Sequence, residues 1–260
     1  VGGVPLFSIE RGAGNEEKAE QILGNSFALL VGSSVILTAV GYLGMKPILF
    51  AFGASEASFV YAKAYLNIYL TGTVFSMLST GLNGYINAQG FPKIGMTSVI
   101  LGSVVNIILD PIFIFGLDMG VSGAALATVI SQAVSAIWVL RFLTGKQAVV
   151  PLERRNITIN GRITKDILKL GTASFIMQGT NCLVQVACNS TLQIYGGDLY
   201  VGIMTVVNSI REIFMLPLSG MVGGAQPVIS YNYGARNFDR VKQAFRRMIT
   251  VTFCMGAFFT

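Results

Sequence analysis

Residues 21–45 carry no charged side chain, and neither do residues 64–92, 119–140, 170–197 and 213–235. Each run exceeds the roughly 20 residues that an α-helix needs to cross about 30 Å of hydrocarbon. Residues 94–117 are a further candidate, interrupted only by Asp110, and residues 199–235 read as one span carrying the single charged pair Arg211-Glu212. One apolar run could be a buried core helix, but so many in 260 residues would leave a soluble fold without a surface. Composition agrees, since charged residues make up 12% of the chain against about 25% in a typical soluble domain. A β-barrel would show short segments of alternating polarity, and none are present. The fold class expected is all-α: a polytopic transmembrane helical bundle.

Lys and Arg orient that bundle. With residues 10–20 placed in the cytoplasm and the spans threaded alternately, residues 89–93, 141–169 and 230–247 also face the cytoplasm. All 18 basic residues except Lys46, Lys63 and Arg211 then lie on that side, as the positive-inside rule requires. The net charge of +6 therefore reports topology and contact with an anionic leaflet. No basic-aromatic pattern points to nucleic acid. The expected location is the cell (inner) membrane, multi-pass.

The chain also repeats itself. VGGVPLFSIERGAGN at residues 1–15 recurs as VGGAQPVISYNYGARN at 222–237, with Gln226 skipped. Pro5 falls on Pro227, Ser8 on Ser230, Gly12 on Gly234, Ala13 on Ala235 and Asn15 on Asn237. Six crossings separate the copies, so both run the same way through the membrane. Such parallel repeats, related by an axis along the membrane normal, are one of the plans of secondary transporters. Two six-helix lobes related by this repeat are expected, with the chain truncated at both ends. The divisions are an amino-terminal lobe at 1–143, a cytoplasmic inter-lobe linker at 144–165 and the start of a carboxy-terminal lobe at 166–260. Asn156-Ile-Thr fits a glycosylation sequon, which its cytoplasmic placement makes a chance match.

Four stretches at this order and spacing, GGVPLFSIERGAGNEEKAE, LNGYINAQGFPK, NIILDPIFIFGLDMGVSGAALATVISQ and GGAQPVISYNYGARN, resemble the multidrug and toxic compound extrusion (MATE) family. The resemblance covers essentially the whole chain, from the end of the family's helix 2 to the start of its helix 9. It implies two lobes around a central cleft, alternating access, and export of amphipathic, often cationic small molecules in exchange for Na⁺ or H⁺.

Ionisable groups inside a span are costly and so mark function by default. Asn106 and Asp110 are four apart and share a helix face, and Pro111 follows. Proline lacks an N–H, so the Ile107 carbonyl loses its helical donor and a bend is expected there. A carboxylate, an amide oxygen and a freed carbonyl suit a hard cation. Burial would also raise the carboxyl's proton affinity, which suits a proton carrier. The competing reading makes Asp110 a helix-end charge near the outer interface. The resemblance implies cation coupling at Asn106, Asp110 and Thr128, and matches Asn83 to a polar pocket residue. The family's partner aspartate belongs to its first helix, which the matched stretches do not include.

Further along, Gln178, Gln185 and Asn189 lie at near-helical spacing, as either a stripe facing the cleft or a set of interhelical hydrogen bonds. Arg211 and Glu212 point about 100° apart, so each is expected to find a partner other than its neighbour, with Glu212 as a weaker cleft candidate. Gly123, Ala127, Ser131 and Ser135 recur every four residues, allowing another helix to approach closely. Cys182, Cys188 and Cys254 show no metal or CxxC spacing and read as reduced structural cysteines. The chain has no His, no HExxH and no GxSxG, so an intramembrane enzyme has little to work with. A flippase for lipid-linked or polysaccharide precursors is the nearer rival, although it would want several basic groups in its cleft. No cofactor or metal is expected beyond the coupling ion, and the expected state is a monomer.

Overall fold

The computed structural model describes residues 2–259, and side-chain environments up to Gly256. The element order is α1 (Gly3–Gly12), α2 (Glu16–Leu43), α3 (Met45–Ala51), α4 (Glu56–Thr71), α5 (Thr73–Ala88), α6 (Pro92–Pro111), α7 (Gly120–Leu143), α8 (Gly161–Gly234) and α9 (Phe238–Phe259). The described residues contain no strand, and four of the helices are long and apolar enough to span a bilayer. The protein is an all-α, multi-pass membrane bundle.

Several boundaries follow from local chemistry. Pro92 sits in the first turn of α6, where its missing N–H costs nothing. Ser55 caps α4 by accepting from the Ser58 N–H at 3.1 Å, while the Ser58 hydroxyl accepts from the Ser55 N–H at 2.8 Å. At Gly197 the backbone takes φ 61° and ψ −162°, a conformation open to glycine alone. It divides α8 into two arms, matching the two spans expected at 170–197 and 199–235.

The structure departs from the expected elements twice. The run at 64–92 is not one continuous helix, because α4 and α5 are separated at Gly72. A side chain there would press on Val129 of α7, so the break sits where a neighbouring helix comes close. Each piece has 16 residues, short of the roughly 20 that a full crossing needs. After Pro111 the helix does not end; it widens into a π-helical turn at Ile112–Gly116, with the Leu117 N–H donating to the Ile112 carbonyl at 2.9 Å. The irregularity foreseen at the proline is therefore a local widening of the helix, a common way of re-satisfying freed backbone groups.

Chain turns collect at two ends, as alternate threading requires. At one end Arg11 donates to the Ala88 carbonyl at 2.8 Å, and Gln89 exchanges two hydrogen bonds with the Val150 backbone, at 3.2 and 3.0 Å. At the other, the Ser55 hydroxyl donates to Asp198 at 2.8 Å and the Ser190 hydroxyl to the Ala51 carbonyl at 2.7 Å. The best-packed core, including Phe7, Ile22, Leu82, Tyr85, Val139 and Leu143, lies towards the first end. Val150 and Leu152 of the linker are buried in it. Asn25 then donates to the carbonyls of Thr158 and Asn160 at 3.1 and 3.3 Å, and accepts from Thr164 at 3.2 Å. The linker is thus strapped to α2 and α5 from Val150 to Asn160.

Candidate functional site

Helices α6 and α7 pack antiparallel, with the small residues of α7 against α6. The Ser135 hydroxyl donates to the Ser98 carbonyl at 2.8 Å. Gly102 faces Ser131 and Ser135, and Gly123 faces Phe113. This register sets Asn106 and Asp110 at the depth of Thr128. Helical geometry also turns all three to the same flank of the helix pair.

Asn106 donates its amide to Asp110 Oδ1 at 3.3 Å. That leaves the second carboxylate oxygen and the Asn106 carbonyl oxygen available. The Thr128 hydroxyl donates to the Ala124 carbonyl at 2.9 Å, and its proton is thereby committed while its lone pairs remain free. All three residues are half-buried. An acceptor-only set of one carboxylate and two neutral oxygens fits a small hard cation, and the carboxylate alone fits a proton.

One turn along α7 from Thr128, Gln132 donates to the Tyr69 hydroxyl at 3.5 Å, and its own Oε1 is buried without a partner. Sequence reasoning missed this group, because a glutamine within an apolar run has no distinguishing pattern. Asn83 is placed differently from the cation group. It donates to the Gly95 carbonyl at 2.9 Å and to Ser98 Oγ at 2.7 Å, so both amide hydrogens tie α5 to α6.

A cavity of about 570 Å³ opens between α1, α2 and α5 on one side and the first arm of α8 on the other. Its polar lining includes Ser26, Ser33, Tyr85, Thr172 and Gln178, and no charged residue is among the described residues that line it. Buried Tyr85 donates to Ser26 at 2.6 Å and stacks edge-on against Phe7 at 5.1 Å. Neither Tyr85 nor Ser26 was legible as a cavity residue, since both lie inside charge-free runs. Gln178 accepts from Asn181 at 3.3 Å. Gln185 is half-buried two turns on, while Glu212 is exposed on the second arm of α8. Arg211 and Glu212 form no ion pair with each other.

The two copies of the repeat meet at the linker end. A methyl built on Gly12 would strike the Tyr231 carbonyl oxygen, and one built on Gly234 would strike the Ile9 carbonyl oxygen. Gly12 corresponds to Gly234 and Ile9 to Tyr231, so the contact is reciprocal. Each copy makes to the other the contact it receives. Arg11 adds a cation–π contact to Tyr231, 5.8 Å from the ring centroid.

The MatE family model matches residues 1–112 and 173–260. The chain belongs to the MATE family. It is 26% identical over 266 residues to the multidrug export protein MepA of Staphylococcus saprophyticus, covering 100% of this chain and 58% of that protein. The solved structure of the MATE multidrug transporter DinF-BH superposes with a TM-score of 0.90 at 34% identity, covering 99% of this chain and 57% of that one. Two structures of a multidrug resistance MATE family transporter of the MOP superfamily are also similar. The outward-facing one gives a TM-score of 0.84 at 27% identity, covering 98% of this chain and 56% of that one. The inward-facing one gives 0.77 at 26%, covering 98% and 59%. The MATE chain described here thus spans a little over half the length of these relatives.

Proposed function

We propose that the full-length protein is a secondary active exporter of amphipathic, often cationic compounds, driven by antiport with Na⁺ or H⁺. The observation that carries this reading is the α6–α7 site, where Asp110, Asn106 and Thr128 share one depth and one flank within apolar helices. Asp110 binds the coupling ion and the two neutral oxygens complete its shell. Substrate occupies the separate cavity beside Tyr85 and Gln178, whose uncharged, mostly apolar lining suits an amphipathic molecule. That lining speaks against a flippase, whose diphosphate cargo would call for cations.

The reciprocal contact of Gly12 and Gly234 keeps the linker end shut, so this state opens towards the opposite, extracellular side. Its higher similarity to the outward-facing relative supports that assignment. Release and reloading then require the contact to part. The test is substrate uptake by inverted proteoliposomes of the full-length protein under separately imposed Na⁺ and pH gradients. Uptake that follows one gradient and stops when it is dissipated supports antiport. Uptake independent of both would overturn it.

A further inference from the structure

A second cavity, of about 310 Å³, lies at the linker end where α6 begins and α7 finishes. Its lining includes Ile94 of α6, Trp138, Arg141 and Phe142 of α7, and Lys146 and Gln147 of the turn that follows. Neither the cation site nor the inter-lobe cavity uses any of these residues. Arg141 and Lys146 are both exposed, and the ion pairs among the described residues engage other basic groups: Lys18 with Glu10, and Arg155 with Glu20 and Glu153. Two cations and an amide around one recess form a donor set for a phosphate group, with the Arg fork and the Lys point charge giving complementary geometry.

The surroundings say what carries the phosphate. Trp138 is partly exposed, and an indole at a membrane boundary sits at headgroup level. From there the outer surface of α7 continues as the exposed apolar side chain of Ile137, one turn from Arg141 on the same face. A soluble anion would need no such wall, whereas acyl chains would lie along it. We propose that this cavity binds the headgroup of an anionic phospholipid, with Arg141 and Lys146 on the phosphate and the acyl chains against Ile137 and Trp138 of α7. Basic recesses at the ends of membrane helices are suited to this role.

The experiment is native mass spectrometry of the full-length protein, titrated with phosphatidylglycerol or phosphatidylcholine in detergent. Tight retention of one phosphatidylglycerol, with phosphatidylcholine retained weakly, is expected. The double variant Arg141→Gln/Lys146→Gln should weaken that retention about thirty-fold, the loss expected for two basic contacts. The swap Arg141→Lys/Lys146→Arg should restore most of it. A control removing the same charge elsewhere at this end, Arg246→Gln/Arg247→Gln, should leave retention unchanged. The proposal is overturned if both lipids bind alike, if the control weakens binding as much as the double variant, or if inorganic phosphate displaces the lipid at equal concentration. Folding of each variant is checked by its thermal transition, and the swap keeps the result interpretable should the double variant lose stability.

Discussion

At the scale of single residues, the proposed cation site separates charge from coordination. Thr128→Val and Asn106→Ala each remove one neutral oxygen and leave the Asp110 carboxylate. Each should therefore weaken ion-driven transport by about ten-fold, one lost hydrogen-bond-scale contact to a charged group, without abolishing it. Measuring the ion concentration for half-maximal transport checks this, and complete loss in either variant would give that residue a larger role. Tyr85→Phe leaves the Ser26 hydroxyl short of its buried donor and should cost about 1 kcal/mol of stability, read from thermal unfolding in detergent. Of the cation site, the pairing of Asn106 with Asp110 was legible from their spacing alone. Thr128 entered only through resemblance, because nothing in a run of helix-forming residues reports the helix it will pack against. Gln132 was invisible for the same reason: its environment is made by Tyr69, on α4.

At the scale of elements, the charge-free runs located the spans because a bilayer tolerates few other sequences. The divide at Gly197 was legible between two runs. The break at Gly72 was not, because it answers to Val129 on another helix and leaves hydropathy unchanged. The strap from Val150 to Asn160 was read only as a polar linker. What ties it down, the bonds from Gln89 and Asn25, connects residues 61 and 133 positions apart, beyond any local pattern. Gly12 and Gly234 can be tested as elements of a closure. Gly12→Val should wedge α1 away from α8 and favour a linker-open state. Spin labels at Glu17 and Asp239 in the full-length protein should then show a longer distance population that the unsubstituted protein lacks. An unchanged distance distribution would mean that the glycine contact is packing without a gating role.

At the scale of the whole molecule, the repeat and its geometry agree. Two segments of similar sequence face each other and make the same contact in both directions, as a two-fold axis along the membrane normal demands. The Lys and Arg distribution predicts the topology. In a cysteine-free background, Arg154→Cys should resist membrane-impermeant thiol reagents in intact cells while Glu56→Cys reacts. The reverse labelling would invert the bundle. The central claim, that Asp110 carries the ion whose gradient drives export, is tested most directly by Asp110→Asn, which keeps size and hydrogen bonding but removes the charge. In proteoliposomes of the full-length protein, the variant should bind substrate with near-normal affinity yet show no gradient-driven uptake. Uptake at the normal rate with unchanged ion dependence would contradict the account and return Asp110 to the status of a helix-end charge.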